Sequence, residues 1–276
     1  MTRSAPNRPP GWVPPGPSPR PPAGPPDLSP GDDETLSYLT GDFRIFQKKD
    51  GHRWSLDDFV TAYIAIERTP RTNSPRVYDL GCGIGSVLMM MAWAFPTASV
   101  HGVEAQAISH ALALRSIRYN GIDDRCSVTL GDLRHVPLNP TFDLVTGTPP
   151  YIPLGSGFVS ENAQRGPCLN ETRGGIEDYA LTASRLLSPT GQFVACVGPW
   201  PPDRGTRAAT HAGLHLAHTV QVVPREGKPV LFRVLVMQRP ALAQPTEGTF
   251  TVRDRGGALT EDMHRAREVM GQPPKR

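Results

Sequence analysis

Cysteine is scarce: four in 276 residues, at Cys82, Cys126, Cys168 and Cys196, with no short paired spacing. That excludes a disulfide framework and a zinc ribbon, and a reducing cytoplasm is the simplest home. Long apolar runs are also missing. No stretch of 18 or more apolar residues occurs, and prolines stand where a signal peptide needs an apolar core, so neither a membrane span nor secretion is expected. Charge of one sign is in short supply too. The net charge of +3 permits a nucleic-acid ligand without demanding one. Proline, by contrast, is plentiful. Twelve of the 31 prolines fall within the first 30 residues, where apolar side chains are few. Residues 1–31 therefore read as a disordered or polyproline II tail, a surface suited to a protein partner.

Behind the tail, residues 43–47 alternate like a short strand, Lys49-Asp50-Gly51-His52 reads as a turn, and Ser55-Leu56-Asp57-Asp58 caps a helix running to Glu67. These make a small N-terminal cap over residues 32–75. Strand-like and helix-like segments then alternate at 76–80, 87–94, 99–104, 105–119, 127–130, 143–146, 176–187 and 192–197. Such alternation predicts an α/β domain, a mostly parallel sheet with helices on both faces, over residues 76–240. Strands are expected at 221–223 and 230–238, and a closing strand and helix within 241–276. The Gly- and Pro-punctuated stretch 152–175 is too long for an ordinary connection and reads as functional or disordered. His211, His215 and His218 share helical spacing, but Gly213 weakens that helix and no H-E-x-x-H is present, so no metal is assigned.

Asp79-Leu80-Gly81-Cys82-Gly83-Ile84-Gly85 follows the apolar Val77-Tyr78 and opens a helix. Glycines here let the backbone approach a ligand without a Cβ in the way, and the helix start supplies unpaired amide protons. A dinucleotide fingerprint would need its third small residue at Ser86, whereas the glycines fall at 81, 83 and 85 with an acid two residues before the first. That spacing fits S-adenosylmethionine (AdoMet), with Asp79 toward its ammonium, better than a nucleotide cofactor or a tight turn with no ligand. Glu104 ends the next strand 19 residues beyond Gly85, where an acid bonds ribose hydroxyls. It could instead serve the start of the following helix. Asp132 ends a third strand after Gly131 and would sit over an adenine, although Gly-Asp is also ordinary turn chemistry.

The fourth strand runs into Thr148-Pro149-Pro150-Tyr151. Prolines offer no amide to a ladder, so the strand must stop, leaving carbonyls, a hydroxyl and an aromatic ring at its carboxyl end. The 79–85 turn, Glu104, Asp132 and the P-P-Y corner, in this order, resemble the class I methyltransferases that modify planar amino or amide nitrogens, whose usual motif is N-P-P-Y. With residues 43–65, 225–236 and 249–270 included, the chain is similar over about 38–270 to the bacterial tRNA adenine-N6 methyltransferases that act beside the anticodon of a valine tRNA. The resemblance implies a Rossmann-like, seven-stranded sheet, AdoMet as cofactor, and an RNA substrate, with tRNA foremost. A monomer in the cytoplasm is expected. It further implies that an Asn oxygen and the first proline's carbonyl accept the amino protons while the Tyr ring stacks on the base.

Thr148 replaces that Asn. Its hydroxyl can still accept, but it is shorter than an amide and β-branching restricts its rotamers, so reduced or retuned activity is expected. Glu171 in the long loop could orient the corner, and Arg165 and Arg173 are candidate phosphate contacts. Three alternatives stay open: methylation of a protein glutamine amide, methylation of guanine N2 in rRNA, and an AdoMet-binding module with weakened chemistry.

Overall fold

In the computed structural model the described residues are 9–22, 28–70, 74–137, 141–153, 155, 162–239 and 244–274. A two-stranded antiparallel ribbon, β1 (Glu34–Tyr38) with β2 (Arg44–Lys48), leads into α1 (Leu56–Arg68). Asp58 explains why the helix begins there: its Oδ2 accepts the Ser55 amide at 2.9 Å, supporting the N-cap residue. The strand and the helix lie where expected, but the ribbon turns at 39–43, ahead of β2, because its partner is the strand at 34–38.

The alternating segments that follow are β3 (Arg76–Leu80), α2 (Ser86–Ala94), β4 (Ser99–Glu104), α3 (Ala107–Asn120), β5 (Cys126–Leu130) and β6 (Phe142–Gly147). A short turn of helix α4 (Gly166–Leu169) precedes α5 (Ile176–Leu186), β7 (Leu187–Val197) and α6 (Arg204–His211). The chain closes with β8 (His215–Val223), β9 (Phe232–Gln238), β10 (Thr246–Thr251) and α7 (Glu261–Val269). The sheet runs β10-β8-β9-β7-β6-β3-β4-β5, and β9 alone lies antiparallel to its neighbours. This is the mostly parallel Rossmann-like sheet expected. It has eight strands instead of seven, because β10 pairs in parallel with β8 and meets backbone groups at what would otherwise be the sheet edge.

The order reverses at β3, which sits between β4 and β6. The chain leaves β3 in one direction and returns on its other side, so the loops at the carboxyl ends diverge and open a crevice. Helices fill both faces. One core joins α1, α2, α3 and α7 to the sheet; its α2, the sequence SVLMMMAWA, is apolar nearly all round because it lies between the sheet and α1. The other core is built by α5 and α6.

The histidine spacing dissolves in this fold. His211 ends α6, whereas His215 and His218 lie on β8, and Gly213 at φ 69° breaks the chain between them. All four cysteines are unpaired. No described helix is long and apolar enough to cross a membrane. Of the Pro-rich tail, residues 1–8 and 23–27 lie outside the described residues. Residues 9–22 form neither helix nor strand and lie against the core, where the Arg20 amide donates to the Asn120 carbonyl at 3.3 Å.

Met90 in the middle of α2 is fully buried. Met90→Ala is expected to lower the unfolding free energy by about 2–4 kcal/mol, read from the urea midpoint at constant slope.

Candidate active site

The glycine turn is built by backbone conformation. Gly81, Gly83 and Gly85 have φ of 57°, 56° and 85°, the left-handed region that side chains disfavour. Their surroundings differ. A Cβ on Gly81 would fall 2.1 Å from the Tyr179 hydroxyl, one on Gly85 would press on Ala113 at 3.3 Å, and one on Gly83 would meet nothing within 4 Å. Gly81 and Gly83 face a cavity of about 310 Å³, and Gly85 instead caps α2. The space beside Gly83 is therefore a cradle that a side chain would fill.

Glu104 closes this cradle from β4. Its Oε2 accepts the Gly83 amide at 2.9 Å and its Oε1 the Gln106 amide at 2.6 Å, so it serves both the turn and the helix start beyond it. Burial raises its pKa, opposed by those two amides and by Arg173. Asp132 also borders the cavity, but its carboxylate is held by the Arg134 side chain, with Nη2 at 2.6 Å and Nε at 2.9 Å, and by the Arg134 amide. The turn chemistry of Gly-Asp is real here, and an adenine amino group would have to share an oxygen already engaged.

Asp79 departs from the expectation. It is buried, with Oδ1 accepting the Thr146 hydroxyl at 2.7 Å and Oδ2 the Leu88 amide at 3.0 Å. Both oxygens are used inside the fold and the residue does not line the cavity, so a direct ammonium contact is corrected to a structural one: Asp79 ties β3 to β6 and to α2. Burial pushes its pKa up to about 7, with Glu104 adding to the rise.

Thr148, Pro149, Pro150 and Tyr151 leave β6 and line the same cavity. The Thr148 hydroxyl donates to Asp58 Oδ1 at 3.4 Å. Tyr151 backs onto Gly198 beyond β7, where a Cβ would come within 3.1 Å of it. Burial and the Asp57 carboxylate raise its hydroxyl pKa. The loop behind the corner is clamped. Glu171 donates its amide to the Ile152 carbonyl at 3.0 Å, while its carboxylate is gripped by Arg204, which also binds Glu177 at 2.7 Å. Glu171 therefore holds the chain directly after Tyr151 in position. Arg173 reaches the cavity and is exposed; Arg165 is exposed. Of the long loop, residues 154 and 156–161 lie outside the described residues.

Three contributors carried no signal in the sequence. Tyr179 on α5 wedges its ring between the ends of β3 and β6, which is why Gly81 and Gly147 are both glycine: a Cβ on Gly147 would fall 2.8 Å from that ring. Arg204 is the second, and the pair Asp57 and Asp58 the third. The helix-cap pattern located these two acids but said nothing of the cavity that they border. With Glu104 and Asp132 they give the cavity an acidic lining, against Arg173 as the single guanidinium among its described residues, a balance that favours a cationic ligand.

Residues 77–152 match the methyltransferase domain family. A predicted O-methyltransferase of Agrobacterium tumefaciens superposes with a TM-score of 0.58 at 18% identity, covering 79% of this chain and 98% of that one. In its fold and in its glycine turn the chain is similar to class I, AdoMet-dependent methyltransferase domains. Within that class, the chain is similar to the tRNA1(Val) (adenine(37)-N6)-methyltransferase of Porphyromonas gingivalis, 31% identical over 131 residues, 46% of this chain and 49% of the relative. The chain thus spans about half the length of that curated relative; one of the same name from Tolumonas auensis aligns over 74% of this chain and 84% of its own at 27% identity. A 4-amino-L-phenylalanine/4-methylamino-L-phenylalanine methyltransferase of Streptomyces pristinaespiralis is 34% identical over 128 residues, 44% of this chain and 42% of its own.

AdoMet fits the cradle, since the open space beside Gly83 and the acidic lining suit a ligand bearing a sulfonium. Gly83→Ala is expected to weaken AdoMet binding more than tenfold by calorimetry, while the fold loses only the roughly 1–2 kcal/mol of left-handed strain. Wild-type affinity in that variant would remove Gly83 from the cradle. A second outcome concerns Asp79. Its folded pKa is raised from 3.8 to about 7, so its stabilising contribution is complete at low pH and is lost as pH rises through that value. Unfolding free energy should fall across this window by a contribution on the order of 4 kcal/mol, and Asp79→Asn should flatten the profile.

Proposed function

We propose that this chain methylates an exocyclic amino nitrogen of a planar ring, most specifically the N6 of an adenine in tRNA. One observation carries the reading: a single cavity joins the glycine cradle and Glu104 to the Thr148–Tyr151 corner, so a methyl donor and a flat amine would meet at the ends of β3 and β6. The names of the curated relatives support tRNA as the substrate class.

The chemistry asked of the residues is modest. An aromatic amine is a poor nucleophile because its lone pair is delocalised into the ring. Two acceptors, Thr148 Oγ1 and the Pro149 carbonyl, would bond its two hydrogens and draw the nitrogen toward a tetrahedral shape. The Tyr151 ring would stack on the base and hold its plane. AdoMet supplies a methyl group on a positive sulfur, whose departure as a neutral thioether leaves the proton of the new amine to escape to water. No strong base is required. Catalysis then rests on orientation and on acceptors placed for the transition state. Gly83 and Glu104 hold the donor side, and the exposed Arg165 and Arg173 are candidate phosphate contacts for an RNA loop. The protein's home in the cytoplasm belongs to the same reading.

The test is methyl transfer from labelled AdoMet to total tRNA, followed by nucleoside mass spectrometry. N6-methyladenosine in a tRNA supports the proposal; label only on guanine N2 or on a free aromatic amine such as 4-aminophenylalanine keeps the amine chemistry but overturns adenine in tRNA, and label only on a protein glutamine overturns both. In the same assay, Tyr151→Ala is expected to lower kcat/KM for tRNA roughly 10- to 100-fold with AdoMet affinity unchanged, as loss of about 1–3 kcal/mol of stacking requires.

A further inference from the structure

Thr148 poses a problem that an asparagine would not. An amide oxygen can only accept, whereas a hydroxyl both donates and accepts, and its hydrogen turns to whichever partner is nearest. Facing an amino group, a hydroxyl that kept its hydrogen toward the cavity would oppose N–H to O–H and offer no acceptor along that line. Asp58 bears on this directly. It lies on the first turn of α1, is 4% exposed, borders the cavity, and its Oδ1 accepts the Thr148 hydroxyl hydrogen at 3.4 Å. Its other oxygen is held by the Ser55 amide at 2.9 Å, so the helix cap aims Oδ1 at Thr148.

We propose that Asp58 is a positioning residue for methyl transfer: by taking the Thr148 hydroxyl hydrogen it leaves Oγ1 with only lone pairs for the substrate amine. This rests on the amine-methylating reading above and deepens it, because it says how threonine can stand where the resembling family has asparagine. The 3.4 Å contact is long, as such contacts often are before substrate arrives.

The arrangement has a protonation state. Burial, then Asp57 beside it and Asp79 from β3, push Asp58 up to about 8, against the Ser55 amide and the Ser86 hydroxyl of α2. Tyr151 after β6, Cys168 of α4 and Cys196 of β7 are the other titratable groups that feel it. The ionised form accepts from Thr148. The protonated form can donate to Thr148 instead and turn its hydrogen into the cavity. Transfer should therefore rise with pH and level off above about 8.

Two measurements on the full chain test this. The first needs no activity: carbon-13 NMR of labelled aspartate follows Asp58 in wild type, Thr148→Val and Thr148→Ser. The valine variant, lacking the donor, should raise the Asp58 pKa and the serine variant should keep it near wild type; an Asp58 titration unmoved by valine overturns the proposal. The second is single-turnover methyl transfer. Asp58→Asn can keep the cap through its carbonyl while turning an NH₂ toward Oγ1, and at saturating AdoMet is expected to slow transfer roughly 10- to 100-fold, as loss of a charge-assisted hydrogen bond does, with the pH rise abolished. Thr148→Val should match it, and the double variant should be no slower than either. Full activity in Asp58→Asn, or costs that multiply in the double variant, would overturn the proposal. Should Asp58→Asn fail to fold, the serine and valine variants decide through their rates and the NMR titration. If wild type methylates no tRNA while the NMR coupling holds, the substrate reading fails and the orienting role of Asp58 stands.

Discussion

Asp79 bonds across two parallel strands and into a helix at once: the Thr146 hydroxyl at 2.7 Å and the Leu88 amide at 3.0 Å meet on one buried carboxylate. Thr146 lies two residues before Thr148, and Leu88 lies in the first turn of the helix that Gly85 caps. The carboxylate therefore sets the distance between the glycine turn and the T-P-P-Y corner. Burial makes ionisation of this carboxyl costly, and the two hydrogen bonds that it accepts offset only part of that cost. Whatever binds in the cavity meets two walls that one side chain holds in register.

Tyr179 does by packing what Asp79 does by hydrogen bonding. Its ring fills the space between the ends of β3 and β6, and the glycines at 81 and 147 exist to let it in. The clamp of Arg204 on Glu171 and Glu177 then fixes the return of the loop behind Tyr151. Each device acts on backbone, not on the reacting groups. The chemistry assigned to the corner is orientation, and orientation requires a rigid frame more than a strong acid or base.

The acids that border the cavity divide the labour. Glu104 holds the glycine turn through its amides, Asp132 is spent on its own turn with Arg134, and Asp58 faces the corner from the opposite wall. Their separate hydrogen bonds decide which of them is free to do more. A carboxylate near a ligand is not thereby its ligand.

Local patterns in the chain were enough to place most elements and the cavity's main landmarks. The Ser55–Asp58 cap, the strands at 76–80 and 99–104, the glycine turn, Glu104 and the proline-terminated strand are all written in short-range signals of capping, periodicity and backbone conformation, which act between near neighbours. The strands at 34–38 and at 215–220 were missed, and α6 with them, because their apolar pattern is short and interrupted. What only the tertiary structure decided is where each carboxylate points: Asp79 inward to Thr146 and Leu88, Asp58 outward to Thr148, Asp132 back onto Arg134. Tyr179 and Arg204 became part of the site for the same reason. Hydrogen bonds between residues 67 or 90 positions apart depend on which strands and helices are brought together, and no local pattern encodes that meeting.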